Sequence, residues 1–212
     1  MKKLFLGLGL VAGTFAFAQT SPTFGIKGGM NVSSLSKDGG LEDQGSKIGF
    51  NGGIFLNAPI SEQFSIQPEV LYNNLGSKVT VTEVNLGNDN YSAEYARHLD
   101  YISVPVMAQF MATPNFYIEA GPQFSFLVDA RDKYKNTKNG STEDAESYSL
   151  DKDNFKNFDF GLGLGIGYYF TPQIGINARY TAGLTDIYKS NSESRDNVKN
   201  NVFQVGLNFK FK

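Results

Sequence analysis

Cysteine and tryptophan are absent from the 212-residue chain, and histidine occurs once, at His98. Without cysteine there is no disulfide framework and no amino-terminal cysteine to carry lipid. A lone histidine and no thiols leave no ligand cluster for a metal. A strong excess of one charge is missing too. Lys2 and Lys3 lie in a leader, so the remainder has two fewer cations than the 19 of the whole chain. It keeps all 21 acids, which gives a net charge of −4 against −2 overall. That is mildly acidic and gives no case for a nucleic-acid partner. After the leader no run reaches 18 consecutive apolar residues, so no helix is expected to span a bilayer. Nor is a helical period sustained anywhere else.

The leader reads as a signal peptide over residues 1–18. Lys2 and Lys3 form its positive region, "LFLGLGLVAGTFAF" its apolar core, and Ala16-Phe17-Ala18 a small-residue cleavage site before Gln19. The core is short for a membrane span. One domain, residues 19–212, is expected to follow.

What the chain has in quantity is phenylalanine (18), tyrosine (11) and glycine (23). They fall into eight stretches of period-two alternation: Thr23–Ser33, Lys47–Asn57, Phe64–Leu75, Leu99–Met111, Phe116–Asp129, Phe158–Phe170, Ile174–Thr185 and Val202–Phe211. Each has roughly 10 to 14 residues, longer than the ~5–6 of soluble sheets and near the ~9–11 of a membrane-crossing strand. The connections alternate strictly. Short ones, "APISEQ", "ATPN" and "TPQ", carry proline and turn formers; long polar ones lie near 34–46, 76–98, 130–157 and 186–201. All tight turns therefore leave one end of the sheet and all long loops the other, as in bacterial outer-membrane barrels. The expected fold is all-β: an eight-stranded antiparallel up-and-down transmembrane barrel, closed by pairing of the last strand with the first, since lipid cannot satisfy an open edge.

Alternation alone does not say whether the apolar face points into a soluble barrel or out into lipid. Three patterns decide for lipid. Aromatic residues of apolar parity sit at strand ends: Phe24, Phe64, Phe110, Phe116, Phe170 and Phe211 by the tight turns, and Phe50, Tyr72, Phe126, Phe158 and Phe203 by the long loops. Phe116 and Phe126 are separated by roughly 33 Å of strand at ~3.3 Å per residue. Tilted, that is roughly 24 Å of height, the separation of two aromatic girdles. The other parity is small and polar, as in the four glycines of "GLGLGIG" (161–167), which would leave room for long side chains inside a narrow barrel. Charges of that inward parity nearly balance: Lys27, Arg179 and Lys210 against Glu69, Glu119 and Asp159. Confined in a lumen they are expected to pair. Structural filling is the preferred role for that network, with an ion or proton path and an unidentified ligand as alternatives.

Several stretches resemble one family: "FGIKGGMNVSSL", "QPEVLYNNLG", "YISVPVMAQF", "FYIEAGPQFSFL", "FGLGLGIGYYF" and "ARYTAGLTDIY". Together they are similar to the PorT-like outer-membrane β-barrel domain family of Bacteroidetes, grouped with porin-family proteins. The resemblance spans the mature chain and implies export to the bacterial outer membrane and insertion by the barrel-assembly machinery. It brings no catalytic motif, and through PorT it raises a part in secretion-machinery assembly. The chain departs from many barrels in ending on Lys212.

Other chemistry is thinly represented. His98 lies beside Asp100, but a triad needs a nucleophile to converge with both. His98 is read as a loop or girdle residue, and no enzyme activity is expected. "GLGLGIG" fails the dinucleotide fingerprint at Ile166. "LDKDNFKNFD" (150–159) lacks the glycine and distal glutamate of a calcium loop. No cofactor or metal is expected. Three functions follow: a non-enzymatic barrel with a structural or surface-interaction role, which is preferred; a small porin; or an accessory of a secretion or assembly machinery. The expected partners are outer-membrane lipid and a surface or periplasmic protein not identified by the sequence.

Overall fold

The computed structural model describes residues 22–36, 44–86, 89–138, 141–150, 155–189 and 198–211. The signal peptide expected over 1–18 lies outside them. Among the described residues there are nine strands: β1 Thr23–Leu35, β2 Gln44–Pro59, β3 Phe64–Leu86, β4 Asp89–Met111, β5 Phe116–Lys138, β6 Ser141–Ser149, β7 Phe158–Tyr169, β8 Ile174–Gly183 and β9 Asn200–Lys210. Eight close a ring in the order β1-β2-β3-β4-β5-β7-β8-β9, all neighbours antiparallel. β9 returns to β1 from Gly25↔Lys210 to Leu35↔Asn200. β6 continues the β7 side of β5 farther out: β5 pairs with β7 from Phe116 to Phe126, then with β6 from Arg131 to Lys138.

The three tight turns share one device. Ser61, Thr113 and Thr171 each accept, through the side-chain oxygen, the backbone N–H of the residue three positions on, at 3.1, 3.0 and 2.9 Å. The same residues' neighbours close the hairpins, with the N–H groups of Ile60, Ala112 and Phe170 on the carbonyls of Phe64, Phe116 and Ile174. A hydroxyl at that position orders a short loop without a long one's entropy.

At the other end the structure corrects two expectations. Residues 76–98 and 130–157 were expected as long loops. Instead β3 and β4 run on as a paired hairpin to Leu86↔Asp89, and β5 and β6 pair to Lys138↔Ser141. Alternation persists in "SKVTVTEVNL" and "YSAEYARHL", and Gly87-Asn88 and Asn139-Gly140 are two-residue hairpin signals. Polar composition hid strands that need no lipid. β3 to β6 thus form a four-stranded sheet rising past the outer aromatic ring. A bulge marks the transition: Asp100 pairs with Asp129 but Tyr101 with Leu127, so Val128 is an added residue. It exchanges the faces of β5, turning Arg131, Lys133 and Lys135 outward.

Within the ring the orientation is the expected one. Leu164 is 63% and Phe24 61% exposed on the outside, while Gly163, Gly165 and Gln204 are buried inside. Of the named girdle aromatics, all lie exposed on the outer surface except Tyr72 and Phe116, which are half-buried. Neighbouring strands pair them, as in Phe64–Phe110 (5.0 Å between centroids) at one end and Phe50–Tyr72 and Phe126–Phe158 (both 5.6 Å) at the other.

Candidate functional site

The barrel interior is built around Arg179 on β8. Its Nη1 and Nη2 donate to both carboxylate oxygens of Glu69 on β3 at 2.9 and 2.7 Å, and its Nε donates to Glu119 on β5 at 2.7 Å. Lys27 on β1 completes the group, its Nζ 3.1 Å from Glu69. Gln67 donates to Glu69 Oε1, which it shares with Arg179, and Gln109 donates to the other oxygen of Glu119, Oε2, each at 2.9 Å. Two cations thus meet two carboxylates, and none of the four is more than 7% exposed. Planar guanidinium geometry suits such a bidentate clasp.

The glycines of β7 make the clasp geometrically possible. In the register, Glu119 on β5, Gly165 on β7 and Arg179 on β8 form one cross-strand row. A Cβ on Gly165 would lie 2.9 Å from Glu119 Oε1, in the space through which Glu119 reaches Arg179. One row toward the tight turns, the Tyr117 ring occupies the place of a Gly167 side chain; one row the other way, the Met107 methyl packs 3.2 Å from where a Gly163 Cβ would be. Glycine here makes room for a neighbour's side chain; its freedom of φ and ψ is not used.

Layers of neutral polar groups lie on either side. Toward the outer end Asn31, Asn51, Asn73, Gln204 and Ser103 bond one another. Toward the turns Asn57 donates to Gln109, and separately Asn177 donates to Asn208, which donates to Tyr117 Oη. The other two charges expected in the network stand apart from it. Asp159 accepts from Thr185 Oγ1 at 2.6 Å and Asn200 Nδ2 at 3.0 Å near the outer end. Lys210 lies 4.1 Å over the Tyr169 ring at the turn end. Parity assigns a face but not a height, and these residues are at the outer start of β7 and the inner end of β9.

Above these layers the mouth is covered. Leu35, Leu75, Leu99, Tyr101, Phe155, Ile187, Tyr188, Val198 and Val202 form one buried apolar cluster, with Leu127 and Leu150 against it. The covering segments are tied by a Phe155↔Tyr188 bridge, by Lys156 N–H to Ile187 C=O and by Ile187 N–H to Val198 C=O (2.8 and 2.9 Å). From the raised sheet Arg97 clasps Asp132 with two 2.9 Å bonds and donates to Tyr188 Oη at 2.6 Å. Burial opposes the charge on Arg97, but the Asp132 carboxylate outweighs it and holds the guanidinium's pKa above its usual value. None of this cover was expected from the sequence. Its only signal was apolar residues such as Phe155, Ile187 and Val198 inside otherwise polar loops.

His98 stands on the outward face of the raised sheet. Partial burial, then the nearby charges of Lys47, Lys133 and Arg131, push its pKa down to about 4, so the ring is neutral. Asp100 is engaged by Asn74 and Arg131. Among the described residues no serine bonds His98, so no triad is assembled there.

Residues 17–189 match the profile of the outer membrane protein beta-barrel domain. No curated protein matches the sequence. Among solved structures the chain is similar to Neisserial surface protein A (14% identity, TM-score 0.49, covering 91% of this chain and 100% of that one). It is also similar to Ail, the attachment invasion locus protein of Yersinia pestis (15%, 0.48, 91% and 100%), and to OprG from Pseudomonas aeruginosa (16%, 0.41, 92% and 98%). Likenesses of that size carry no functional information.

Proposed function

The chain belongs to the outer membrane protein beta-barrel domain family, and from that premise we propose that it is a non-enzymatic barrel that conducts no solute and acts through its external face. As a member of this family it resides in the bacterial outer membrane. The observation that carries the reading is the double closure of the interior: the Arg179–Glu69–Glu119–Lys27 clasp across the middle and the apolar cluster over the mouth. An eight-stranded ring is only wide enough for side chains to fill. What remains for function is the raised sheet β3–β6 and the segments packed on it, a rigid scaffold presenting polar surface to the outside. Outer-membrane lipid and the barrel-assembly machinery are its partners in residence and insertion, and the raised sheet is the surface offered to another protein.

Planar-bilayer recording of the purified protein tests this. No stable steps of porin size are expected from the wild-type chain. Large, stable single-channel steps would overturn the reading in favour of a porin.

A further inference from the structure

Three of the seven prolines stand inside ring strands: Pro68 on β3, Pro105 on β4 and Pro122 on β5. Proline has no N–H, so within a sheet it removes a ladder bond and is ordinarily confined to edges and bulges. A closed ring has no edge, and the lipid around it cannot supply the missing partner. At each of the three the pairing lapses without a change of register. Between β2 and β3 it stops at Phe55↔Glu69 and resumes at Ala58↔Ile66, with Pro68 in the gap. Between β3 and β4 it stops at Pro68↔Val106 and resumes at Leu71↔Ser103, with Pro105 in the gap. Between β4 and β5 it stops at Pro105↔Gln123 and resumes at Ala108↔Ala120, with Pro122 in the gap. The ladders β1–β2, β9–β1, β5–β7, β7–β8 and β8–β9 run unbroken.

The gaps lie side by side inside the lipid band, for Pro122 is six residues from Phe116 and four from Phe126. The strands stay close there: a Cβ on Gly121 would run into the Val106 carbonyl across the β4–β5 gap. What spans the gaps is a side chain. Gln109 on β4, 1% exposed, accepts from Asn57 Nδ2 of β2 at 2.9 Å and from Ser65 Oγ of β3 at 3.4 Å. It donates to Glu119 Oε2 of β5 at 2.9 Å. One amide thus joins the four strands whose ladders are broken. Asn57 adds a bond to Gln67 of β3 at 3.2 Å, and Arg179 ties Glu119 to β8 in the unbroken part of the wall.

We infer that the wall from β2 to β5 is a parting line of the barrel, latched from inside by Gln109. A wall opens first where the fewest backbone bonds must break, and in lipid each broken bond stays unsatisfied. The three gaps make this wall the one with the fewest to lose. A buried amide suits the latch, because its bonds are strong in a low-dielectric interior and removing it strands the groups that met it. The parting line concerns the wall and not passage through the lumen, so it stands or falls separately from the conductance reading.

The test is amide hydrogen exchange of the folded mature chain in detergent micelles, read residue by residue by NMR. Wild type is expected to exchange faster at 69–71, 104 and 106–108 than at 176–180 and 203–207 of the unbroken β8–β9 ladder. Gln109→Leu should raise exchange at the first set about tenfold, the size of a lost buried hydrogen bond, and leave the second set unchanged. Gln204→Leu removes an interior amide bonded to Asn31 and Asn73 behind the unbroken β9–β1 ladder. Exchange at 28–31 and 204–206 should then stay as in wild type. P68V/P105V/P122V returns N–H groups to the gaps, and should slow exchange at the first set and cancel the effect of Gln109→Leu. A heat-dependent gel shift verifies that each variant is folded; if one is not, the remaining comparisons with wild type decide. Even exchange around the ring overturns the proposal. So does an equal rise in both sets from Gln109→Leu, a tenfold rise from Gln204→Leu, or no slowing in the proline variant.

Discussion

β3, β4 and β5 each pass through two solvents, and their two halves are built to opposite rules. Within the ring the outside is apolar and the inside is ionic: Leu164 and Val205 outward, Glu69, Glu119 and Arg179 inward. Past the outer aromatic ring the order inverts. Leu99, Tyr101, Ile187 and Val198 are buried inside, and Lys133, Lys135 and Lys78 lie outside. Where water surrounds the sheet, removing apolar area from it drives packing. Where lipid surrounds it, that drive vanishes, and a hydrogen-bonded interior holds the shape. The switch falls near Tyr101, one residue from the β4–β5 bulge.

Three experiments press on this contrast, in order of expected size. Arg179→Met removes the guanidinium from between Glu69 and Glu119 and leaves two buried carboxylates with Lys27 alone. Breaking such a buried group costs about 3–5 kcal/mol, read as a lower urea midpoint for the loss of the heat-shifted gel band. An unchanged midpoint would mean that the clasp holds nothing together.

Next comes the same charge placed in each half. Leu164→Arg on the outer wall of the ring should cost about 2–4 kcal/mol, the penalty for arginine facing the bilayer midplane. Thr142→Arg on the exposed outer hairpin should stay within about 0.5 kcal/mol. Equal effects on folding into vesicles would erase the distinction between the halves.

The smallest effect concerns His98. Its folded-state pKa of about 4 lies below the ordinary ~6.5. Between those values the opened hairpin takes up a proton that the closed one refuses, so the raised sheet loosens as pH falls from about 6.5 to 4. Above 6.5 this group adds no dependence. Amide exchange at residues 94–98, compared between wild type and His98→Asn at each pH, should diverge only in that window. Parallel behaviour of the two proteins would clear the histidine of any part.

The ring half was legible because one rule governs all of it. Period two fixes a face, and turn residues fix which end is which, so Gly163, Gly165, Arg179 and Glu119 could be placed inside from the residues alone. Height along the barrel was not legible, which is why Asp159 and Lys210 were grouped with charges they do not meet. The outer half was legible only in fragments. Its hairpins kept their alternation but wore loop composition, and the added Val128 reversed the faces of β5 without leaving a mark in the pattern. Its cover comes from Phe155, Tyr188 and Val198, brought together from separate connections that no local period relates.

The seam between β1 and β9 joins residues such as Gly25 and Lys210, nearly the full chain apart. The ring cannot close before the last strand arrives, so until then β1 has one flank without its partner. Contacts this remote are slow to form, so that flank stays open longer than any edge between strands joined by a tight turn. Deleting residues 200–210 would leave β1 and β8 each with a bare flank, and the whole cylinder, not merely its final segment, would be lost.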